Sequence, residues 1–141
     1  MQQQTVHASA VAIDGRGVLL IGASGRGKSS LALELIALGA ALVADDQVIL
    51  TRRQDAIVLS APAPTRGLIE ARGIGLLTSA VAEDPVTLAL CADLDTPEVD
   101  RLPPQRTRTY LGRAIPLVHR SEMCHFAAAI TVYLKGDGRV S

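Results

Sequence analysis

Near its start the chain reads Gly22-Ala23-Ser24-Gly25-Arg26-Gly27-Lys28-Ser29. This segment matches the pattern G-x-x-x-x-G-K-[ST], in which glycines let phosphate oxygens approach the backbone and free N–H groups bind them. In such a loop the lysine neutralises the β- and γ-phosphates, and the serine hydroxyl is a ligand of Mg²⁺. All eight residues are therefore predicted to bind a nucleoside triphosphate, with Ser29 also holding magnesium.

The segments on both sides of this loop have the patterns that the motif requires. Residues 18–21 are a continuous aliphatic run, typical of a strand buried on both faces. Leucines recur through residues 28–38, which predicts a helix, and Gly39 stands where a left-handed helix cap belongs. Shorter aliphatic runs predict further strands at 7–14, 41–44, 48–50, 57–59, 86–91 and 115–118, and a closing helix at 121–134. We therefore predict an α/β fold, a P-loop kinase domain with a mixed β-sheet and flanking helices.

Three segments are predicted to be irregular. Residues 67–77 contain glycines at 67, 73 and 75, which indicates a loop with special backbone geometry. Residues 98–113 are rich in arginine and include Pro103-Pro104, which also favours a loop. Residues 136–141 are expected to fray.

Length, charge and composition narrow the class of protein. The 141 residues suit one catalytic domain spanning 1–141, and 48% hydrophobic residues exclude intrinsic disorder. Acidic and basic residues number 14 each and aromatics make up 2%, so we expect no binding to nucleic acid. There is no apolar run long enough for a membrane span and no visible signal peptide. With only two cysteines, both expected to be buried thiols, the prediction is a soluble cytoplasmic protein.

A pair of carboxylates follows the predicted P-loop helix. The strand Ala41-Leu42-Val43-Ala44 ends at Asp45-Asp46, which places two acids near the expected phosphates. A carboxylate beside a magnesium–phosphate site can accept the proton of an attacking hydroxyl group. If the strand continued, the two side chains would point to opposite faces, and either Asp could instead only begin a turn. A GTPase would read its base with N-K-x-D, and the chain has no Asn, so the sequence does not favour a GTPase.

Taken together, these segments resemble the catalytic domain of bacterial HPr kinase/phosphorylase. The resemblance covers residues 5–80 best and includes the P-loop, Asp45-Asp46 and His7, which matches the active-site histidine of that family. The segment Glu70-Ala71-Arg72-Gly73-Ile74-Gly75 is similar to its Glu-x-Arg-Gly-hydrophobic-Gly signature. Asp100-Arg101-Leu102 is similar to the sequence around its catalytic arginine.

This resemblance implies an ATP-dependent protein serine kinase that phosphorylates HPr, the small phosphocarrier of the sugar phosphotransferase system, and that forms a homo-oligomer. It implies Asp46 as the proton acceptor, and catalytic roles for His7, Lys28, Asp45 and Arg101. Glu70 is expected to be a second magnesium ligand, because a hard cation prefers oxygen. The simpler alternatives are a salt bridge from Glu70 to Arg72 and a solvated Arg101.

Two departures from the family pattern bear on the expected reaction. The family's separate N-terminal domain has no counterpart in the sequence, as in the short proteobacterial forms. Its C-terminal segment Pro-Val-Arg-Pro-Gly-Arg-Asn, tied to the reverse phosphorylase reaction, is replaced by Pro116-Leu117-Val118-His119-Arg120-Ser121. We therefore expect kinase activity with at most weak phosphorylase activity. A P-loop kinase with a small-molecule acceptor and a nucleotide-binding regulatory module without transfer activity are the alternatives.

Overall fold

A computed structural model describes residues 2–136, so the predicted fraying of 137–141 lies outside the described residues. The strands of this part of the chain are β1 Gln3–Ile13, β2 Arg16–Ile21, β3 Ala41–Ala44, β4 Gln47–Arg53, β5 Ala56–Ser60, β6 Leu68–Ala71, β7 Gly75–Thr78, β8 Val86–Pro97, β9 Arg106–Tyr110 and β10 Arg113–Arg120. The α-helices are α1 Lys28–Ala37 and α2 Phe126–Lys135. Neither of these helices is long and apolar enough to cross a membrane.

Eight of these strands form one mixed sheet, in the order β2-β1-β4-β5-β8-β10-β9, with β3 also paired to β1. Strand β8 pairs in parallel with β2 as well as with β10, and antiparallel with β5. Strands β2, β1, β4, β5 and β8 therefore close into a circuit without free edges, which protects their backbone hydrogen bonds. Strands β6 and β7 form a separate antiparallel hairpin.

Two hydrophobic clusters lie on opposite faces of the central strands. In β1, Ala8, Ala10 and Ala12 belong to a cluster made by strands, whereas Val11 and Ile13 belong to a cluster shared with both helices. The alternation has a period of two residues, as the geometry of a strand requires. The two helices bury Leu31, Leu35, Ile130 and Leu134 in the second cluster. Burial on both faces explains why β2 is an unbroken aliphatic run.

The structure confirms the predicted strand, loop and helix around the glycine-rich segment. Strand β2 ends at Ile21 and α1 begins at Lys28, so residues 22–27 form the connecting glycine-rich loop. Gly27 has a φ of 90°, which starts the helix abruptly, and Gly39 takes a φ of 111° after its end. Glycine is favoured at both positions because side chains disfavour positive φ.

The structure corrects the two internal segments that were predicted to be irregular. Residues 67–77 contain the hairpin β6–β7, because the glycines occupy its turn and its ends and leave the strand interiors regular. Within 98–113, β9 forms an antiparallel pair with β10 across a turn at Leu111-Gly112, both with positive φ. The exposed Arg and Thr side chains of this edge strand hide its β-pattern in the sequence.

Two further predictions are wrong in part. Helix α2 begins only at Phe126, because residues 121–125 are not helical and end in a turn at Cys124 and His125. The Met123 N–H donates to Ser121 Oγ in this segment. Cys124, in the same turn, is exposed, whereas Cys91 on β8 is buried. Burial raises the pKa of the Cys91 thiol to about 11, although the hydroxyl group of Tyr110, 3.9 Å away, opposes the shift.

Candidate active site

A cavity of about 560 Å³ opens where the glycine-rich loop and the start of α1 meet β1, the end of β3 and the β6–β7 hairpin. A volume of this size suits a small-molecule or cofactor site. Its charged and hydroxyl-bearing lining includes His7, Ser9, Ser24, Lys28, Ser29, Asp45, Asp46, Glu70 and Arg72. Most of the residues proposed from the sequence therefore meet around one space.

The glycine-rich loop presents part of its length to this cavity. Ser24, Gly25, Gly27, Lys28 and Ser29 line the space, while Gly22, Ala23 and Arg26 do not. The ammonium group of Lys28 donates hydrogen bonds to the carbonyl oxygens of Gly22 at 2.7 Å and Ala23 at 3.1 Å. A cation anchored in this way at the N-terminus of a helix favours the binding of an anion.

Asp45 is a buried carboxylate that accepts three hydrogen bonds. Its Oδ1 accepts from Ser9 Oγ at 2.7 Å and Ser29 Oγ at 2.8 Å, and its Oδ2 accepts from the Glu70 N–H at 3.3 Å. The residue is only 9% exposed. Asp45 thus joins β1, α1 and β6, and it orients the hydroxyl group of Ser29.

Asp46 has the opposite environment. Its side chain is 74% exposed, and its Oδ1 lies 3.1 Å from Nε2 of His7, whose side chain is 51% exposed. Strand β3 has already ended at Ala44, and Asp46 has a φ of 73°. The strand therefore does not continue through the two carboxylates, the condition for opposite faces is not met, and both line the same cavity.

Glu70 and Arg72 line the cavity from the β6–β7 hairpin, and both are exposed. Across residues 2–136, the ion pairs do not include one between Glu70 and Arg72. The Glu70 side chain therefore remains able to bind a ligand in the cavity.

The structure does not bring Arg101 to this site. It is an exposed residue in the loop 98–105 and does not line the cavity. The strongest ion pair of this region joins Glu98 to Arg106, with His119 Nδ1 3.9 Å from Glu98 Oε1. Desolvation opposes ionisation of Glu98, but the N–H of Asp100, Arg106 and the N–H of Val99 together lower its pKa. This cluster fastens the end of β8 to β9 and β10.

Oxygen donors lie close to Ser29, where a magnesium ion would bind. Within the described residues, no group of three or more His, Cys, Asp and Glu side chains could hold a metal ion alone. The oxygens of Ser29, Asp45 and Glu70 are nevertheless the hard ligands that Mg²⁺ prefers, and magnesium usually completes its shell with phosphate oxygens and waters. These residues fit a magnesium ion that binds together with a nucleotide.

Four polar residues of the cavity were not singled out from the sequence as site residues: Ser9, Ser30, Thr65 and Arg72. Ser9 follows His7 by two positions in β1, so the period of the strand places both on one face, and this signal could have revealed it. Arg72 was noted as part of the segment that resembles the family signature and as a salt-bridge partner for Glu70, but not as a site residue. It supplies a second cation to the lining besides Lys28.

Comparisons with known proteins agree with this architecture. The model of the family described as HPr Serine kinase C-terminal domain matches residues 1–82, more than half of the chain. The chain is 28% identical to a solved structure titled Hpr(Ser) kinase/phosphatase from Coxiella burnetii, with a TM-score of 0.79. That match covers 94% of this chain and 95% of the solved one, so the fold is that of the HPr kinase C-terminal domain.

Curated relatives match by sequence as well. The HPr kinase/phosphorylase of Limosilactobacillus reuteri (strain DSM 20016) is 38% identical over 128 residues, which cover 82% of this chain and 40% of the relative. The HPr kinase/phosphorylase of Thermoanaerobacter sp. (strain X514) is 50% identical over 76 residues, covering 53% of this chain and 25% of the relative. The chain thus spans less than half the length of these relatives. Since the family model matches over half of the chain and the folds agree, the chain belongs to the HPr serine kinase C-terminal domain family.

Proposed function

We propose that the chain is an ATP-dependent protein serine kinase that phosphorylates HPr. The observation that carries the proposal is the cavity in which Lys28 and Ser29 face the exposed pair Asp46 and His7. Membership of the family, and the names of the relatives, support HPr as the acceptor. The oligomeric assembly and the cytoplasmic location expected from the sequence stay predictions.

In the proposed reaction, the glycine-rich loop and Lys28 hold the β- and γ-phosphates of ATP. The serine hydroxyl group of HPr attacks the γ-phosphorus, an O–P bond forms, and the bond to the β-phosphate oxygen breaks to release ADP. Asp46 accepts the proton of the attacking hydroxyl group, and His7 orients the Asp46 carboxylate. An exposed base suits a protein substrate, because the acceptor serine must reach it from outside the cavity.

Magnesium, when bound, neutralises the phosphate charge, and Ser29 with Asp45 and Glu70 would hold it. Asp45 keeps the Ser29 hydroxyl group oriented through its 2.8 Å hydrogen bond. Arg101 keeps its proposed role in stabilising the transferred phosphoryl group only if its loop approaches the cavity. Arg72, which already lines the cavity, is the better placed cation.

The proposal is tested by incubating the protein with γ-labelled ATP, Mg²⁺ and HPr. We expect label on a serine of HPr, and we expect Lys28→Ala to weaken ATP binding by at least about tenfold, since charged hydrogen bonds to phosphate are lost. The chain offers a matched control, because its only other lysine is Lys135, exposed at the end of α2. Lys135→Ala should bind ATP like the wild type. If the protein is folded and binds ATP but HPr remains unlabelled, HPr is not the acceptor.

A further inference from the structure

Asp95 lies beside the start of the glycine-rich loop, on the neighbouring parallel strand. Strand β8 pairs in register with β2, Asp93 opposite Ile21, so the chain just beyond Asp93 runs alongside the first loop residues. A Cβ atom on Gly22 would lie 3.4 Å from Asp95 Oδ1. Since 3.4 Å is an ordinary contact distance, Asp95 packs directly against the first residue of the loop.

One carboxylate contacts both ends of the loop. The N–H of Ala23 donates to Asp95 Oδ1 at 3.0 Å and to Oδ2 at 3.2 Å, and Arg26 Nε lies 3.4 Å from Oδ1. A hydrogen bond from a backbone N–H to a carboxylate is stronger than one to a neutral acceptor. Asp95 thereby links the second and the fifth residue of the glycine-rich segment.

The position of Asp95 is itself fixed by its own turn. The Asp95 N–H donates to Asp93 Oδ1 at 2.9 Å, and the hydroxyl group of Thr96 donates to Asp93 Oδ2 at 3.1 Å. Arg120 Nη1 also donates to the carbonyl oxygen of Leu94 at 2.7 Å. The segment that carries Asp95 is therefore held in place by its own hydrogen bonds, and these fix the orientation of Asp95.

The contact reaches the cavity through Lys28. The carbonyl oxygens that receive the Lys28 ammonium group belong to Gly22 and Ala23. The Gly22 carbonyl and the Ala23 N–H belong to one peptide unit, and Asp95 holds this unit from the outer side through the Ala23 N–H. Asp95 itself does not line the cavity. A shift of this peptide unit would move the Gly22 carbonyl oxygen, the shorter of the two anchors of the lysine.

We propose that Asp95 is a positioning residue, which holds the glycine-rich loop and the Lys28 anchor in the geometry that binds the triphosphate. The inference rests on the proposed function, since it deepens the account of the same nucleotide site. It concerns ground-state binding: the loop contacts the β- and γ-phosphates before and during transfer alike. Such uniform binding appears in KM and leaves kcat almost unchanged.

The test uses Asp95→Ala and Asp95→Asn, with ATP affinity measured by calorimetry and the kinetics by transfer of label to HPr. Asp95→Ala should weaken ATP binding by about five- to twentyfold and raise KM for ATP, with kcat within about twofold of the wild type. Asp95→Asn should lose less, about two- to fivefold, because its amide oxygen still accepts from the Ala23 N–H. Asp55→Ala, an exposed acid in the β4–β5 turn, is the matched control and should leave affinity unchanged.

Amide hydrogen exchange of the nucleotide-free protein gives a second readout that does not need activity. Protection of the amides at residues 22–26 should fall in Asp95→Ala. Arg26→Gln keeps the contact between Asp95 and the Ala23 N–H, so its amides should lose less protection. If the wild type binds ATP and Asp95→Ala binds it equally well, with equal exchange, the inference is wrong. If the folded wild type binds no ATP at all, the proposed function fails, and the exchange comparison alone then decides whether Asp95 holds the loop. If Asp95→Ala does not fold, ATP affinity and hydrogen exchange are measured on Asp95→Asn and Arg26→Gln instead.

Discussion

Asp45 and Asp46 are adjacent in sequence but have different chemical capacities in the fold. Asp45 is 9% exposed and accepts three hydrogen bonds, so an incoming hydroxyl group reaches it less easily than an exposed carboxylate. Asp46 is exposed and contacts only His7 among the described side chains. A general base must be reachable by the hydroxyl group that it deprotonates. The geometry therefore favours Asp46 as the base and Asp45 as the residue that orders Ser29.

We predict that Asp46→Asn keeps ATP binding but lowers phosphoryl transfer to HPr by at least about 10²-fold, the usual contribution of a general base. Asparagine is the suitable replacement because, like Asp, it tolerates the positive φ at this position. Transfer is measured with labelled ATP, and binding is measured separately by calorimetry. Asp45→Asn is the companion variant, and it should chiefly weaken binding of ATP with Mg²⁺. An active Asp46→Asn beside an inactive Asp45→Asn would exchange the two roles.

The candidate site could be predicted residue by residue where a local pattern exists. Lys28 and Ser29 belong to a contiguous motif, and their meeting at the start of α1 follows from strand–loop–helix geometry. The relative orientation of Asp45 and Asp46 could not be predicted, because it depends on the end of β3 and on the positive φ of Asp46. Asp95 could not be found either, since its role arises from strand pairing between distant segments.

At the scale of elements, the β6–β7 hairpin is the part of the cavity most different from the prediction. Its strands pair Glu70 with Leu76 and Ala71 with Gly75, and Gly73 lies in the turn with a φ of 91°. A short two-stranded hairpin is marginally stable by itself. Ile69 and Ala71 are buried, which anchors β6, whereas Ile74 and Leu76 are exposed. The hairpin is therefore anchored along one strand and open at its tip.

We predict that this hairpin becomes more ordered when Mg²⁺-ATP binds and that Glu70 contributes to the effect. Hydrogen exchange across residues 67–77 should slow on addition of Mg²⁺-ATP. Glu70→Gln should raise the Mg²⁺ concentration for half-maximal activity by about three- to tenfold, because one charged oxygen ligand becomes neutral. Its thermal stability should change little, since the side chain is exposed.

The control for this prediction is Glu83→Gln, the same chemical change at an exposed residue that does not line the cavity. It should leave the magnesium requirement unchanged. Equal exchange with and without Mg²⁺-ATP, together with an unshifted requirement in Glu70→Gln, would remove Glu70 from the magnesium site.

At the scale of the whole molecule, the class of fold was predictable but the closure of the sheet was not. The aliphatic runs and the P-loop unit predicted a mixed sheet with flanking helices, and that fold class is confirmed. The circuit depends on β8 pairing with both β2 and β5, which are far from it in sequence. Strand β9 was missed because an edge strand of alternating Arg and Thr has little apolar pattern.

The residues at 116–121, which replace a family segment, affect the expected balance between the forward and reverse reactions. In the reverse reaction inorganic phosphate attacks phosphoserine-HPr, so the site must hold a second multiply charged anion near the first. The family segment tied to this reaction carries two arginines and an asparagine, and this chain has Pro116–Ser121 in its place. Here Arg120 donates to the carbonyl oxygen of Leu94 and pairs with Glu122 at 3.0 Å, and it does not line the cavity.

We therefore predict that phosphate-driven dephosphorylation of phosphoserine-HPr is at least about tenfold slower than phosphorylation, a barrier difference of about 1.4 kcal/mol. Both rates are measured on the same preparation, the forward one with ATP and HPr and the reverse one with phosphate and purified phosphoserine-HPr. The relatives are named kinase/phosphorylase, so one of them, assayed in parallel, is the positive control for the reverse reaction. A reverse rate equal to the forward rate would show that residues 116–121 do not set the balance. A slow reverse rate in this chain beside a fast one in the relative is the outcome that we expect from the missing arginines.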